Sequence, residues 1–111
     1  MHKDFVELTE RVEELSKDEL KRANKEFPMF HSRHEGLGVI SEELYEAEEE
    51  LELIEVHADT LKVSIFKDRD SNYVCEEASK LKAEAIRAAS ELIQVAAMCQ
   101  KMIDCEEGYD E

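Results

Sequence analysis

The chain has 111 residues, with 14 Lys and Arg against 29 Asp and Glu, for a net charge of −15. That length holds one domain, at the small end for a self-sufficient core, and that charge repels nucleic-acid backbones and anionic membranes. With one Pro, three Gly and no Trp, turns are few, and the expected fold class is all-α.

The first helix is expected over residues 3–23. Phe5, Leu8, Val12 and Leu15 keep the three–four spacing of one helix face, and Leu20 and Ala23 continue it loosely. Asn24 to Arg33 breaks the pattern, because Pro28 disfavours a helical conformation at Phe27. Phe27, Met29 and Phe30 are too apolar for an idle surface loop. They cap the end of the bundle or shape an apolar wall beside the acidic stretch of the second helix, and capping is the preferred reading.

The second helix is expected over 34–67, with a stripe of Leu37, Ile40, Leu44, Ala47, Leu51, Ile54, Ala58, Leu61 and Ile65. His57 to Thr60 is the place where a kink could fall. Lys67 to Asn72 reads as the only convincing turn, with Ser71 or Asn72 capping the third helix. That helix is expected over 73–103, with the stripe Val74, Ala78, Leu81, Ala85, Ala88, Leu92, Val95, Cys99 and Met102. Ile86, Ala89, Ile93, Ala96 and Ile103 form a second stripe. A helix apolar on two sides needs more neighbours than three helices supply. The expected architecture is therefore a long antiparallel helical hairpin whose bundle is completed by oligomerisation, as a homodimer or homotetramer. Residues 105–111 read as a frayed acidic tail.

Cys75, Cys99 and Cys105 show no metal-ligand spacing, and the first two sit in helical patterns as small apolar residues. No run approaches the ~20 apolar residues of a membrane span, and the N-terminus lacks a signal-peptide core. A cytoplasmic protein with reduced thiols and no membrane partner is expected.

Five glutamates between residues 46 and 52 are, on their own, an ordinary solvated face. Two coincidences argue for more. Glu43 precedes the stripe residue Leu44 by one position and Glu46 follows it by two; Glu91 and Gln94 stand in the same relation to Leu92. Equal offsets put both pairs on one side of a hairpin packed through those stripes. Counted from Asp70, the first pair lies about 25 residues back and the second about 22 forward, a mismatch of roughly one turn at ~1.5 Å per residue. Three carboxylates and an amide then converge, which suits a hard divalent cation with oxygen ligands, Mg²⁺ above all. Neutralisation by Arg87 in a salt-bridged bundle is the plainer alternative.

The stretches HEGLGVISEELYEA (His34 to Ala47) and AASELIQVAAMCQKMI (Ala88 to Ile103) resemble the MazG-like all-α nucleotide pyrophosphohydrolases, short phage and bacterial type. That family pairs E-E-x-x-E on one helix with E-x-x-D on the next. Glu42, Glu43 and Glu46 match the first motif and Glu91 the glutamate of the second, while Gln94 stands where the aspartate would be. The resemblance implies a Mg²⁺-dependent enzyme, with Mn²⁺ as a substitute, that releases pyrophosphate from nucleoside triphosphates. Glu43, Glu46, Glu91 and Gln94 would hold the metal and Glu42 would orient or deprotonate the water. Lys101 and Arg87 are the candidate phosphate contacts, and Phe30 and His34 the candidates for the base end. The competing reading is an inactive relative serving as a binding or assembly module, which Gln94 favours. A third, an acidic mimic of nucleic acid, does not explain matched carboxylate offsets on two helices.

Overall fold

The computed structural model describes residues 3–109, and within them the chain forms three helices and no strand. Helix α1 is Lys3–Glu26, α2 is Arg33–Phe66 and α3 is Ser71–Tyr109. All three outrun or shift the expected bounds. Helix α2 passes through 57–60 without interruption. The expected acidic tail is mostly helix: α3 continues through Cys105, which is buried, to Tyr109, and Glu106 pairs with Arg33. Residues 110 and 111 lie outside the described residues.

The helix ends arise from local chemistry. Ser32 Oγ accepts the Glu35 amide at 3.1 Å, capping α2. Asp70, rather than Ser71 or Asn72, caps α3, its Oδ1 accepting the Tyr73 amide at 2.9 Å. Helix α2 closes with Asp68 at φ 51. There the Arg69 amide reaches the Ser64 carbonyl and the Asp68 amide the Ile65 carbonyl, both at 3.1 Å. This is the paired bonding of a left-handed helix stop, which an aspartate tolerates where glycine is usual.

The chain divides into two compact units: the described residues of Met1–Leu44 with Leu92–Glu111, and Tyr45–Glu91. The first has an apolar core of Phe30, Ala97, Met98 and Cys105, with Leu20, Ala23, Val39, Ile40 and Met102 packed against it. Phe30 packs so closely over the start of α2 that a Cβ on Gly36 would meet its ring at 2.8 Å. Phe27 and Met29 stay exposed, so only one of the three loop hydrophobics caps the core. Arg33 adds a two-pronged ion pair to Glu106, at 2.6 and 2.9 Å.

The second unit is built differently. Its buried or half-buried positions on α2 are Ala47, Glu50, Ile54, His57, Thr60, Leu61 and Ser64. On α3 they are Val74, Glu77, Leu81, Ala83, Glu84, Ala88 and Glu91. Apolar and polar residues alternate along this seam. Only half of each expected stripe is covered: Leu51, Ala58 and Ile65 on α2, and Ala78 and Ala85 on α3, are exposed. Two helices in contact bury two rows each. In this unit the second buried row is polar, and the leftover apolar row is outside. Cys75, expected in the apolar face, is exposed as well.

Candidate functional site: a carboxylate cluster

Glu43 and Glu46 stand one turn apart on α2, and Glu91 projects from α3. One carboxylate oxygen from each can be found within 4.8 Å of the other two. Burial, then the Glu46 charge and hydrogen bond, pushes the Glu91 carboxyl above the usual carboxylate range. Glu91 therefore gives up its proton less readily than a free carboxyl does. The donor set is entirely hard oxygen, which fits a divalent cation of the Mg²⁺ or Mn²⁺ kind. Gln94, one turn beyond Glu91, is half-buried, and Glu42 is exposed beside the cluster.

Arg87 is engaged elsewhere. Its Nη2 donates to Glu84 Oε1 at 2.5 Å and its Nε lies 3.7 Å from Glu50 Oε2. It thus serves a second, separate acidic layer. Arg87 holds the Glu84 carboxyl low, helped by the Glu50 bond and the His57 charge. The bond to Glu84, burial and the Glu84 charge push the Glu50 carboxyl up. With one guanidinium beside two acids, Glu50 holds its proton more tightly and Glu84 less tightly than a free carboxyl. Glu77, also buried, bonds to Lys80 at 3.2 Å. The sequence reading missed this layering, although seven-residue spacing signals it: Glu43, Glu50, His57 and Ser64 on α2, and Glu77, Glu84 and Glu91 on α3.

Lys101, expected as a phosphate contact, sits inside the first unit. It is only 4% exposed. Its ammonium donates to the Phe27 carbonyl and lies 4.8 Å from the Phe30 ring centre. That carbonyl precedes Pro28, at a point where α1 has ended, and Lys101 satisfies it. Phe30 lines a cavity of about 400 Å³ with Phe27, Val39, Met98 and Lys101 among its neighbours. His34 is exposed on the first turn of α2 and is not part of that lining.

No family model matches the chain, and no curated protein or solved structure matches it. Among the described residues no helix is long and apolar enough to cross a membrane.

Proposed function

We propose that the chain is a Mg²⁺-dependent nucleotide pyrophosphohydrolase of the MazG-like type, built on an antiparallel α2–α3 hairpin and working in the cytoplasm as a homo-oligomer. The observation that carries this reading is the meeting of Glu43, Glu46 and Glu91 within 4.8 Å. These residues come from the two segments that resemble the family's motifs. They would hold the metal, with Gln94 as a neutral fourth ligand. A bound Mg²⁺ supplies charge neutralisation to phosphate oxygens and acidifies water. Glu42, exposed and adjacent, would orient or deprotonate that water. The cavity beside Phe30 is the better candidate for the base end than His34, because Val39, in its wall, is one helical turn before Glu43. Arg87 and Lys101 are left out of phosphate binding, since their charged groups are committed within the fold.

The test is pyrophosphate release from a panel of canonical and modified nucleoside triphosphates with Mg²⁺ or Mn²⁺, beside Glu43→Gln. Metal-dependent turnover lost in the variant supports the reading. No turnover, together with no Mg²⁺-dependent rise in melting temperature, sinks it. The second reading, a catalytically silent assembly protein, draws on the neutral Gln94 in the family's aspartate position. It would keep its oligomeric state and show no turnover.

A further inference from the structure

The turn end of the Tyr45–Glu91 unit holds a cavity that none of the chemistry above uses. Its volume is about 300 Å³, and its walls include Asp59, Thr60, Ser64, Lys67, Arg69 and Tyr73. The left-handed Asp68 that closes α2 folds the chain back on the last helical turn, where the Arg69 amide bonds to the Ser64 carbonyl. Lys67 and Arg69, on either side of Asp68, thus line the same cavity. The Arg69 guanidinium lies over the Tyr73 ring, 5.1 Å from its centre. Stacking fixes its plane and leaves its N–H edge for an anion. Acids outnumber Lys and Arg by 29 to 14, yet among the described residues neither Lys67 nor Arg69 forms an ion pair. Lys67 lies roughly 30 Å along α2 from Glu46 at about 1.5 Å per residue, so the carboxylate cluster is no part of this cavity.

We propose that this cavity binds inorganic phosphate in its singly protonated, doubly charged form. The proposal goes beyond the reading above and does not depend on it. The donors and acceptors of the lining select the ion. Lys67 and Arg69 can only donate. The two hydroxyls are spent as donors: Ser64 Oγ donates to the Thr60 carbonyl at 2.7 Å and Thr60 Oγ1 to the Val56 carbonyl at 3.1 Å. These hydroxyls and the Asp59 carboxylate are therefore left as acceptors. A ligand that satisfies both sets carries negative oxygens and a proton to give. Hydrogenphosphate does, with its charged oxygens toward the two cations and its P–OH toward Asp59. Sulfate has the same shape and charge but no proton at neutral pH, so one of its oxygens would be repelled by the Asp59 carboxylate. The net charge of −15 opposes both dianions alike and does not alter the choice between them. The cavity has room for roughly ten waters at about 30 Å³ each, enough for the ion with part of its hydration shell.

Isothermal titration calorimetry of the full chain in the presence of EDTA tests the proposal, with circular dichroism to confirm helix content in each variant. Phosphate should bind at least about tenfold tighter than sulfate at equal ionic strength, the size of one charge-assisted hydrogen bond. Lys67→Gln combined with Arg69→Gln should weaken phosphate at least about tenfold. Lys82→Gln makes the same change at an exposed site of the unit outside the cavity and should leave the affinity within about twofold. Asp59→Asn should bring phosphate and sulfate within about twofold of each other, because an amide can also donate to an unprotonated oxygen. Three results each overturn the proposal. One is neither heat nor a rise in melting temperature with phosphate up to about 10 mM; the others are equal affinity for sulfate in the wild type and unchanged binding in the double variant. Pyrophosphate and L-glutamate, titrated in the same way, offer the cavity charge and a proton on a longer frame. Tighter binding of either than of phosphate also overturns it.

Discussion

The two units solve the same problem with different material. The unit containing α1 brings a third helix and a loop phenylalanine to the contact between α2 and α3, and its core is Phe30, Met98, Ala97 and Cys105. The Tyr45–Glu91 unit has two helices and places Glu50, His57, Glu77 and Glu84 where a core would have aliphatic residues. The lesson concerns how helices accommodate charge. A helix pair can bury acids provided that each finds a cation or keeps its proton, and Arg87 and Lys80 supply the cations here. The apolar residues displaced from the seam then need another neighbour.

The sharpest way to break this comparison is truncation. Phe30→Ala should cost about 3–5 kcal/mol in urea unfolding, as a buried aromatic does. Val56→Ala, at a site 56% exposed, should stay within about 0.5 kcal/mol. Equal losses would mean that the second unit has a core of its own. Next in size is Lys101→Met, which leaves the Phe27 carbonyl without its buried donor. A loss of about 1–3 kcal/mol is expected, with a native-like Tm counting against the structural role assigned to Lys101.

Glu50→Gln separates the units by pH. Because the Glu50 carboxyl is raised in the folded state, its favourable contribution is complete below its unfolded value and disappears as pH rises through the folded one. The amide imitates the protonated acid. The variant should therefore melt with the wild type near pH 4 and above it at pH 7, an ordering that scanning calorimetry reads directly. A constant difference across that range would contradict a raised Glu50 carboxyl. Smallest, the caps should behave alike in both units: Ser32→Ala and Asp70→Ala should each cost about 1 kcal/mol, and a much larger loss at either would show that it does more than end a helix.

The helical character, the short 67–70 turn and the Glu43–Glu46–Glu91 convergence were all readable from spacing. Three–four periodicity specifies which residues share a face, and equal offsets specify which faces meet. What spacing could not tell was which of two adjacent rows turns inward. Leu51 and Glu50 are neighbours around the same helix, and hydrophobicity favours Leu51, yet the half-buried residue is Glu50. Its burial depends on Arg87 and Glu84, partners far away in sequence that no local pattern announces. The placement of Lys101 has the same origin. A lysine late in an acidic helix reads as a free cation until the fold delivers a backbone carbonyl to it. Cys105 was assigned to a tail because acidic residues come after it, whereas its burial comes from Phe30 and Met98, contributed by other parts of the first unit.

The seven-residue recurrence of acids along the seam has a further consequence. Sliding α3 along α2 by one heptad would again set glutamate against glutamate, so the carboxylates cannot distinguish the correct alignment from its neighbours. The cation separates only one of the two slips. Arg87 spans Glu84 and Glu50 in the observed alignment, and a slip of seven residues, about 10 Å, would set it against His57 in one direction and against Glu43 in the other. The guanidinium thus works as a ratchet tooth in a repetitive rack, blocking the slip toward His57 and leaving the slip toward Glu43 to be opposed by the rest of the fold.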